Sequence, residues 1–249
     1  MSRRKKSHQS HGTTHRPRLW GRHAVTAALD NPDRKILRAW ATRDAAAYMQ
    51  FPKEVVVTIA DVADLGRLVP NDAPHQGVVV EVEPLADMWL DGLLHEAPER
   101  AVLLVLDQVT DPHNVGAILR TACAFGADAL VTTQRYAPRE TGVMAKSASG
   151  ALDLVPLIEV RNLGDTLELL KTRGMRVLGF DSEAPSPLVP RGGTEALAIV
   201  LGAEGKGLRQ RTRELCDEMV RLDMPGPIKS LNVSNAAAIA LYAATTARG

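Results

Sequence analysis

Apolar positions change their spacing along the chain near residue 100, and this change predicts two unlike halves. In the first half the folded segment opens at Leu19-Trp20-Gly21-Arg22-His23-Ala24-Val25. Val25, Ala28 and Leu29 fall on one helical face, and Asn31-Pro32 stops that helix. Short β-type runs follow at Ile36–Trp40, Val55–Ile59 and Val78–Val82, separated by Ala- and Asp-rich helical stretches at Asp44–Met49 and Asp61–Leu68. This reads as a small α/β layer over residues 19–84. Residues 85–100 read as an amphipathic helix or linker, with Pro98 near its end.

Residues 101–249 carry a different rhythm. A continuous apolar strand, Ala101–Leu106, is followed by helix Asn114–Phe125, strand Ala129–Thr132, helix Glu140–Ser147 and strand Leu154–Val160. Helix Leu163–Arg173, strands Met175–Phe180 and Ala196–Leu201, helix Leu208–Cys216, strand Met219–Leu222 and helix Val233–Thr245 complete it. Strands that are apolar on both faces, alternating with amphipathic helices, predict an α/β fold with a covered parallel sheet. No internal repeat is visible.

Composition narrows the class. At 249 residues, 45% hydrophobic and 24% charged, the chain is globular and long enough for one large domain or two smaller ones. The net charge of +1 hides an uneven distribution: residues 1–18 carry six Lys/Arg, three His and no acid. Acids outnumber Lys/Arg 13 to 8 over 19–100, and the remainder is balanced at 16 each. Nucleic-acid binding therefore has to use local patches together with a disordered basic tail over residues 1–18. The tail lacks the apolar run of a secretory signal. No stretch is apolar enough for a membrane span. Two cysteines, Cys123 and Cys216, are too few for a disulfide framework or a zinc cluster, which points to a reducing cytoplasm. The tail histidines lack regular spacing, so no metal site is expected.

Ligands of open parallel sheets bind beyond the carboxyl ends of the strands, so the loops after Leu106, Thr132, Leu201 and Leu222 are the ones to read. Asp107–Asn114 lacks the G-x-G-x-x-G of a dinucleotide enzyme. Asn114 is placed to cap the helix that follows. Arg120 lies about 140° round that helix from Val115, off its apolar stripe. Gly116, one turn earlier, is expected to leave room for a ligand above the guanidinium. The loop Gly202-Ala203-Glu204-Gly205-Lys206-Gly207 is not a phosphate-binding Walker loop, yet its three glycines permit close backbone approach to a ligand. In Leu222–Asn235, Pro225 and Pro227 hold the chain extended, and Ser230, Asn232 and Ser234 crowd one helix start. One of them suffices as a cap, so the others are free to face a ligand.

These segments, taken in series, resemble a known family. Asn114…Arg120-Thr121-Ala122, Leu201–Gly207 and Ser230-Leu231-Asn232-Val233-Ser234 are similar to the three motifs of the SPOUT superfamily, and more narrowly of TrmH-type RNA ribose 2′-O-methyltransferases. Lys146–Ala151 with Val155-Pro156-Leu157 resembles the RlmB branch, whose members methylate a guanosine of 23S ribosomal RNA. Gly21–Val25 and His75-Gln76-Gly77-Val78 resemble both ends of that branch's small RNA-binding domain.

The resemblance implies a domain with a deep trefoil knot, a homodimer with its active site near the interface, and S-adenosylmethionine (AdoMet) held in the knot. By position it implies that Gly202, Leu222, Met224 and Leu231 contact the cofactor. Arg120 corresponds to the catalytic arginine, with Asn114, Glu204, Ser230 and Asn232 as supporting polar residues. Asp223 and Asn235 depart from the family pattern without removing a motif residue. Arg135, Arg139 and Lys146 around one loop, and Arg209, Arg211 and Arg213 around another, are candidate RNA contacts. The expected activity is metal-independent 2′-O-methylation of structured RNA. A transfer-RNA substrate and a non-catalytic ribosome-assembly factor are the rival readings.

Overall fold

The computed structural model describes residues 16–96, 100–190 and 195–245. The predicted tail therefore lies outside the described residues as far as His15. Its last residue, Arg18, is not tail: it opens β1 (Arg18–Trp20), followed by α1 (Arg22–Asp30), β2 (Ile36–Ala41), α2 (Arg43–Tyr48), β3 (Val57–Ile59), α3 (Val62–Gly66) and β4 (Val78–Val82). Then come α4 (Leu90–Glu96), β5 (Val102–Asp107), α5 (Pro112–Ala124), β6 (Ala129–Thr133), α6 (Gly142–Ala148) and a 3-10 turn at Ala151–Asp153. The chain continues through β7 (Leu157–Val160), α7 (Leu163–Thr172), β8 (Arg176–Phe180), β9 (Ser186–Pro187), β10 (Leu197–Gly202), α8 (Gln210–Leu215), β11 (Glu218–Arg221) and α9 (Val233–Thr245).

The first four strands form a mixed sheet in the order β1-β4-β2-β3. The other seven form a sheet in the order β7-β6-β5-β10-β8-β11-β9, with every recorded pairing parallel. The strand expected from Leu154 begins instead at Leu157, because residues 151–153 turn first. The two-residue β9 has no apolar run to announce it; Pro187 stands at the sheet edge, where a missing N–H is tolerated.

The parallel sheet separates two apolar clusters. On one side Leu103, Val105 and Val131 pack with Leu163, Leu167 and Leu170 of α7, and Leu90 of α4 joins them. The segment predicted as a helix or linker thus seats a helix on the second core. On the other side Leu104, Ile118 and Leu241 belong to a cluster that also contains Val25 and Val80. The two halves are therefore packed through a common core, a contact that no local pattern announces.

Polar groups fix the angle of that contact. The Arg34 side chain, fully buried, donates from Nε to Asp153 Oδ1 at 2.7 Å and from Nη1 to Glu140 Oε1 at 2.6 Å. Lys146 Nζ donates to Gln76 Oε1 at 3.0 Å, and the Arg22 N–H donates to the same oxygen. Gly142 sits directly beneath Trp20: a Cβ there would lie 1.7 Å from Trp20 Cζ3 and 2.2 Å from the Arg18 carbonyl. Because one of those atoms is backbone, no rotamer change relieves the clash. Gly142→Ala is expected to destabilise the protein by at least about 1–3 kcal/mol, read as a lower midpoint in urea unfolding. An unchanged midpoint would mean that the two halves can part here without cost.

Candidate active site

Parallel pairing brings the carboxyl ends of β5, β8, β10 and β11 to one edge, and the loops that leave them meet there. The register pairs Gly202 with Asp107, so the glycine-rich loop starts level with the loop that leads into α5. A cleft of about 360 Å³ opens at this edge. Its walls are Asp181–Glu183 after β8, Gly202–Gly207 after β10, and Leu222, Met224 and Lys229–Leu231 after β11. Phe180, Leu201, Val233 and Ala236 supply apolar floor.

The glycine-rich loop folds back on itself. Gly207 N–H donates to the Ala203 carbonyl at 2.9 Å, while Gly205 and Gly207 hold φ of 77° and 63°. Those are left-handed values that glycine adopts without a Cβ penalty. Glu204 then reaches across to the other loops. Its Oε1 accepts from Asn232 Nδ2 at 2.6 Å, Asn114 Nδ2 at 3.2 Å and the Val233 N–H at 3.4 Å. Asn232 Nδ2 also donates to Asn114 Oδ1 at 3.0 Å. One carboxylate thus ties α5, the loop after β10 and the start of α9 together.

The capping roles differ from those predicted. Asp111, not Asn114, caps α5, its side chain accepting from the His113 N–H at 3.0 Å. Pro112 in the first turn needs no N–H partner, so the helix begins two residues earlier than expected. Asn114, released from capping, turns to Glu204. The cap of α9 is Asn232, whose Oδ1 accepts from the Ser234 N–H and hydroxyl at 2.8 and 2.6 Å. Ser230 is therefore the member of the trio left facing the cleft.

Gly116 also differs from expectation. It is buried, and a Cβ would meet the Met144 carbonyl at 2.4 Å. The glycine lets α5 press on α6 and opens no space for a ligand. Arg120, two turns beyond the cap, is exposed on α5, makes no hydrogen bond or ion pair recorded among the described residues, and does not line the cleft. The cofactor candidates Gly202, Leu222, Met224 and Leu231 all line it, with Glu204 and Ser230. Asp223 pairs with Arg221 at 3.0 Å and is not a lining residue.

The candidate RNA contacts separate into two groups. Arg135 and Arg139 are exposed, with Arg135 stacked over the Tyr136 ring. Lys146 lies between the two halves, and burial lowers its pKa from the usual lysine range. The three arginines around α8 are not a free basic face: Arg209, Arg211 and Arg213 pair with Asp107, Glu168 and Asp181. Of these, Asp107 is fully buried and also accepts from the Arg209 N–H and Thr212 hydroxyl. Arg213 and Asp181 bracket Gly207. The helix is thereby strapped beneath the cleft. Sequence reading missed Asp107, Asp181 and Arg213 in this role. The signal was available, because Asp181 also ends a parallel strand, and the loop after Phe180 belongs with the other strand-end loops.

Residues 101–242 match the SpoU rRNA methylase family, and residues 18–88 match the RNA 2′-O ribose methyltransferase substrate-binding family. The chain belongs to the SpoU methylase family. It is 38% identical to the 23S rRNA (guanosine-2′-O-)-methyltransferase RlmB of Pseudomonas putida, over 93% of this chain and 96% of that one. It is 40% identical to the RlmB of a Burkholderia species, over 92% and 96%. Among solved structures it resembles the SpoU methyltransferase AviRb of Streptomyces viridochromogenes in complex with AdoMet, with a TM-score of 0.75 and 26% identity, covering 94% of this chain and 90% of that one. No described helix is long and apolar enough to cross a membrane.

The cleft fits the SpoU cofactor on its own evidence. Its volume falls in the range of about 300–1,000 Å³ usual for small-molecule sites. It offers apolar walls for a flat ring at Leu222 and Leu231, backbone from three loops, and the carboxylate of Glu183 toward a cationic ligand.

Proposed function

We propose that this SpoU protein methylates a ribose 2′-hydroxyl of a guanosine in 23S ribosomal RNA, using AdoMet bound in the cleft after β8, β10 and β11. The observation that carries this reading is the Asn114–Glu204–Asn232 cluster, whose Glu204 lines a cofactor-sized cleft. Relatives that share 38–40% identity over nearly the whole length support the ribosomal target. In the proposed division, residues 19–84 bind RNA, 85–100 link, and 101–249 carry the chemistry in the cytoplasm. The position of β10 between β5 and β8, with the cleft at their ends, is compatible with the trefoil knot that we propose. Exposed Ile239 and Tyr242 on α9, with exposed Leu231 before it, support a homodimer formed across this edge.

When bound, AdoMet supplies an activated methyl group; the protein has to align the hydroxyl and accept its proton. Glu204 braces the loop, and Asn114 and Asn232 spend amide hydrogens on it, so all three act by holding the cleft rigid. Arg120 clamps an RNA phosphate and stabilises developing oxyanion charge. A guanidinium holds its proton too tightly to serve as the base. The proton leaves through the phosphate, Ser230 or water. Reaction needs no metal in this scheme.

Ribose-methylation mapping of total RNA with and without the protein tests the reading. The expected result is loss of one guanosine mark in large-subunit RNA; loss of a transfer-RNA mark instead would reassign the substrate. Calorimetry with AdoMet separates an enzyme from a binding factor. Gly202→Ala is expected to weaken AdoMet binding at least about tenfold, roughly 1.4 kcal/mol. A Cβ there would lie 2.2–2.6 Å from Gly207 and Leu208 backbone, pushing the loop away. Unchanged affinity in that variant would place the cofactor elsewhere.

A further inference from the structure

A second and larger depression, of about 980 Å³, lies away from the cleft, where the segment between the two halves crosses the end of β7. Its lining joins exposed apolar side chains, Met88, Trp89 and Leu154, to carboxylates at Asp33, Asp87 and Glu159. Glu140 and Asp153 also line it but are engaged by Arg34. No Lys, Arg or His is among the described lining residues. Trp89 is 80% exposed, unusual for the largest apolar side chain. Burial, and next the nearby Asp87 charge, raise the Glu159 pKa above the usual carboxylate range. Like charges held this close, beside bare aromatic surface, are relieved by a cation with an apolar stem.

The chain itself carries such cations ahead of β1. The first described residues run antiparallel to β4: the Val82 N–H donates to the Pro17 carbonyl at 3.0 Å, so Arg16 comes at the end of β4 where Glu83 and Pro84 follow. Pro84 is already a groove residue. The fifteen residues before Arg16 carry Arg3, Arg4, Lys5 and Lys6 and no acid. Ten or so residues of extended chain span roughly 35 Å, enough to carry Lys5 and Lys6 past Pro84 to the groove.

We propose that the basic N-terminal arm of this chain docks in the groove formed by Asp33, Asp87, Glu159 and Trp89 of the same chain. Lys and Arg stems lie over Trp89 and their charges meet the three carboxylates. RNA phosphates compete for the same cations, so the arm leaves the groove when substrate arrives; this last step rests on the methyltransferase reading, while docking itself does not.

Zero-length carbodiimide cross-linking of the full chain without RNA tests the docking. The expected products join Lys5 or Lys6 to Asp33, Asp87 or Glu159 within one chain, and high salt abolishes them. Mixing unlabelled and ¹⁵N-labelled protein distinguishes the source: mixed-isotope products would give the groove to a second copy's arm and overturn the proposal. Products scattered over carboxylates outside the groove would also overturn it. Independently, tryptic cleavage after Arg3–Lys6 is expected to be several-fold faster in Asp87→Asn/Glu159→Gln than in wild type at low salt. Equal rates overturn the proposal. Adding structured RNA is expected to remove the cross-links; retention of them would refute the exchange and leave the docking standing.

Discussion

Arg120→Ala is expected to lower single-turnover methylation by about 10²–10³-fold, the usual cost of deleting one preorganised donor to developing negative charge. The residue is exposed on α5, with no partner among the described residues that its removal would orphan. Folding should therefore be undisturbed, and the loss should appear in the rate more than in the melting temperature. Arg120→Lys keeps the charge but not the planar fork that grips two phosphate oxygens. It is expected to recover RNA binding better than turnover. Both quantities should be measured across pH, because a base would shift the profile and a clamp would scale it. Near-wild-type turnover of Arg120→Lys at every pH would remove bidentate geometry from the mechanism. Full activity of Arg120→Ala would remove the residue altogether.

The largest expected effect on stability lies far from the cleft. Asp153→Ala leaves the Arg34 guanidinium fully buried with one carboxylate instead of two, and breaking a buried pair costs about 3–5 kcal/mol. Arg34 has no slack to absorb the change, since Nη2 is buried with no hydrogen-bond partner among the described residues. Burial, offset in part by Arg34, raises the Glu140 pKa above its ordinary range, so desolvation is already a heavy cost at this junction. In a chain of this size the loss corresponds to a melting point lower by roughly 10 °C. Asp153→Asn keeps an acceptor and is expected to cost less. Should Asp153→Ala melt with wild type, the junction would have to admit water, and the buried triad would not be what fixes the two halves.

Much of the site was legible because its residues are local in sequence. A glycine loop after an apolar strand, a double proline before an alanine-rich helix, and a polar run at a helix start each carry a physical signature. Their series carried the family. Individual roles were less legible wherever two groups could satisfy the same need. Asp111 and Asn114 are both able to cap α5, and sequence cannot say which carboxylate or amide is nearer the free N–H. The same holds for arginines: Arg209, Arg211 and Arg213 look like a basic face until Asp107, Glu168 and Asp181 are brought beside them from 32 to 102 positions away.

By itself the sequence picked out two of the loops that wall the cleft, those after β10 and β11, but not the loop after β8, and the loops after β5 and β6 that it also named do not line it. Strand-end loops must converge in a parallel sheet, and their glycines, prolines and polar caps mark them for a ligand. Tertiary structure decided what each side chain does there. Glu204 became a tie between three segments rather than a lone acid in a loop, and Gly116 became a helix contact rather than a space above Arg120. The two halves became joined through Gly142, Arg34 and Lys146. These outcomes depend on atoms distant in sequence meeting at a few ångströms, and spacing along the chain does not encode such meetings.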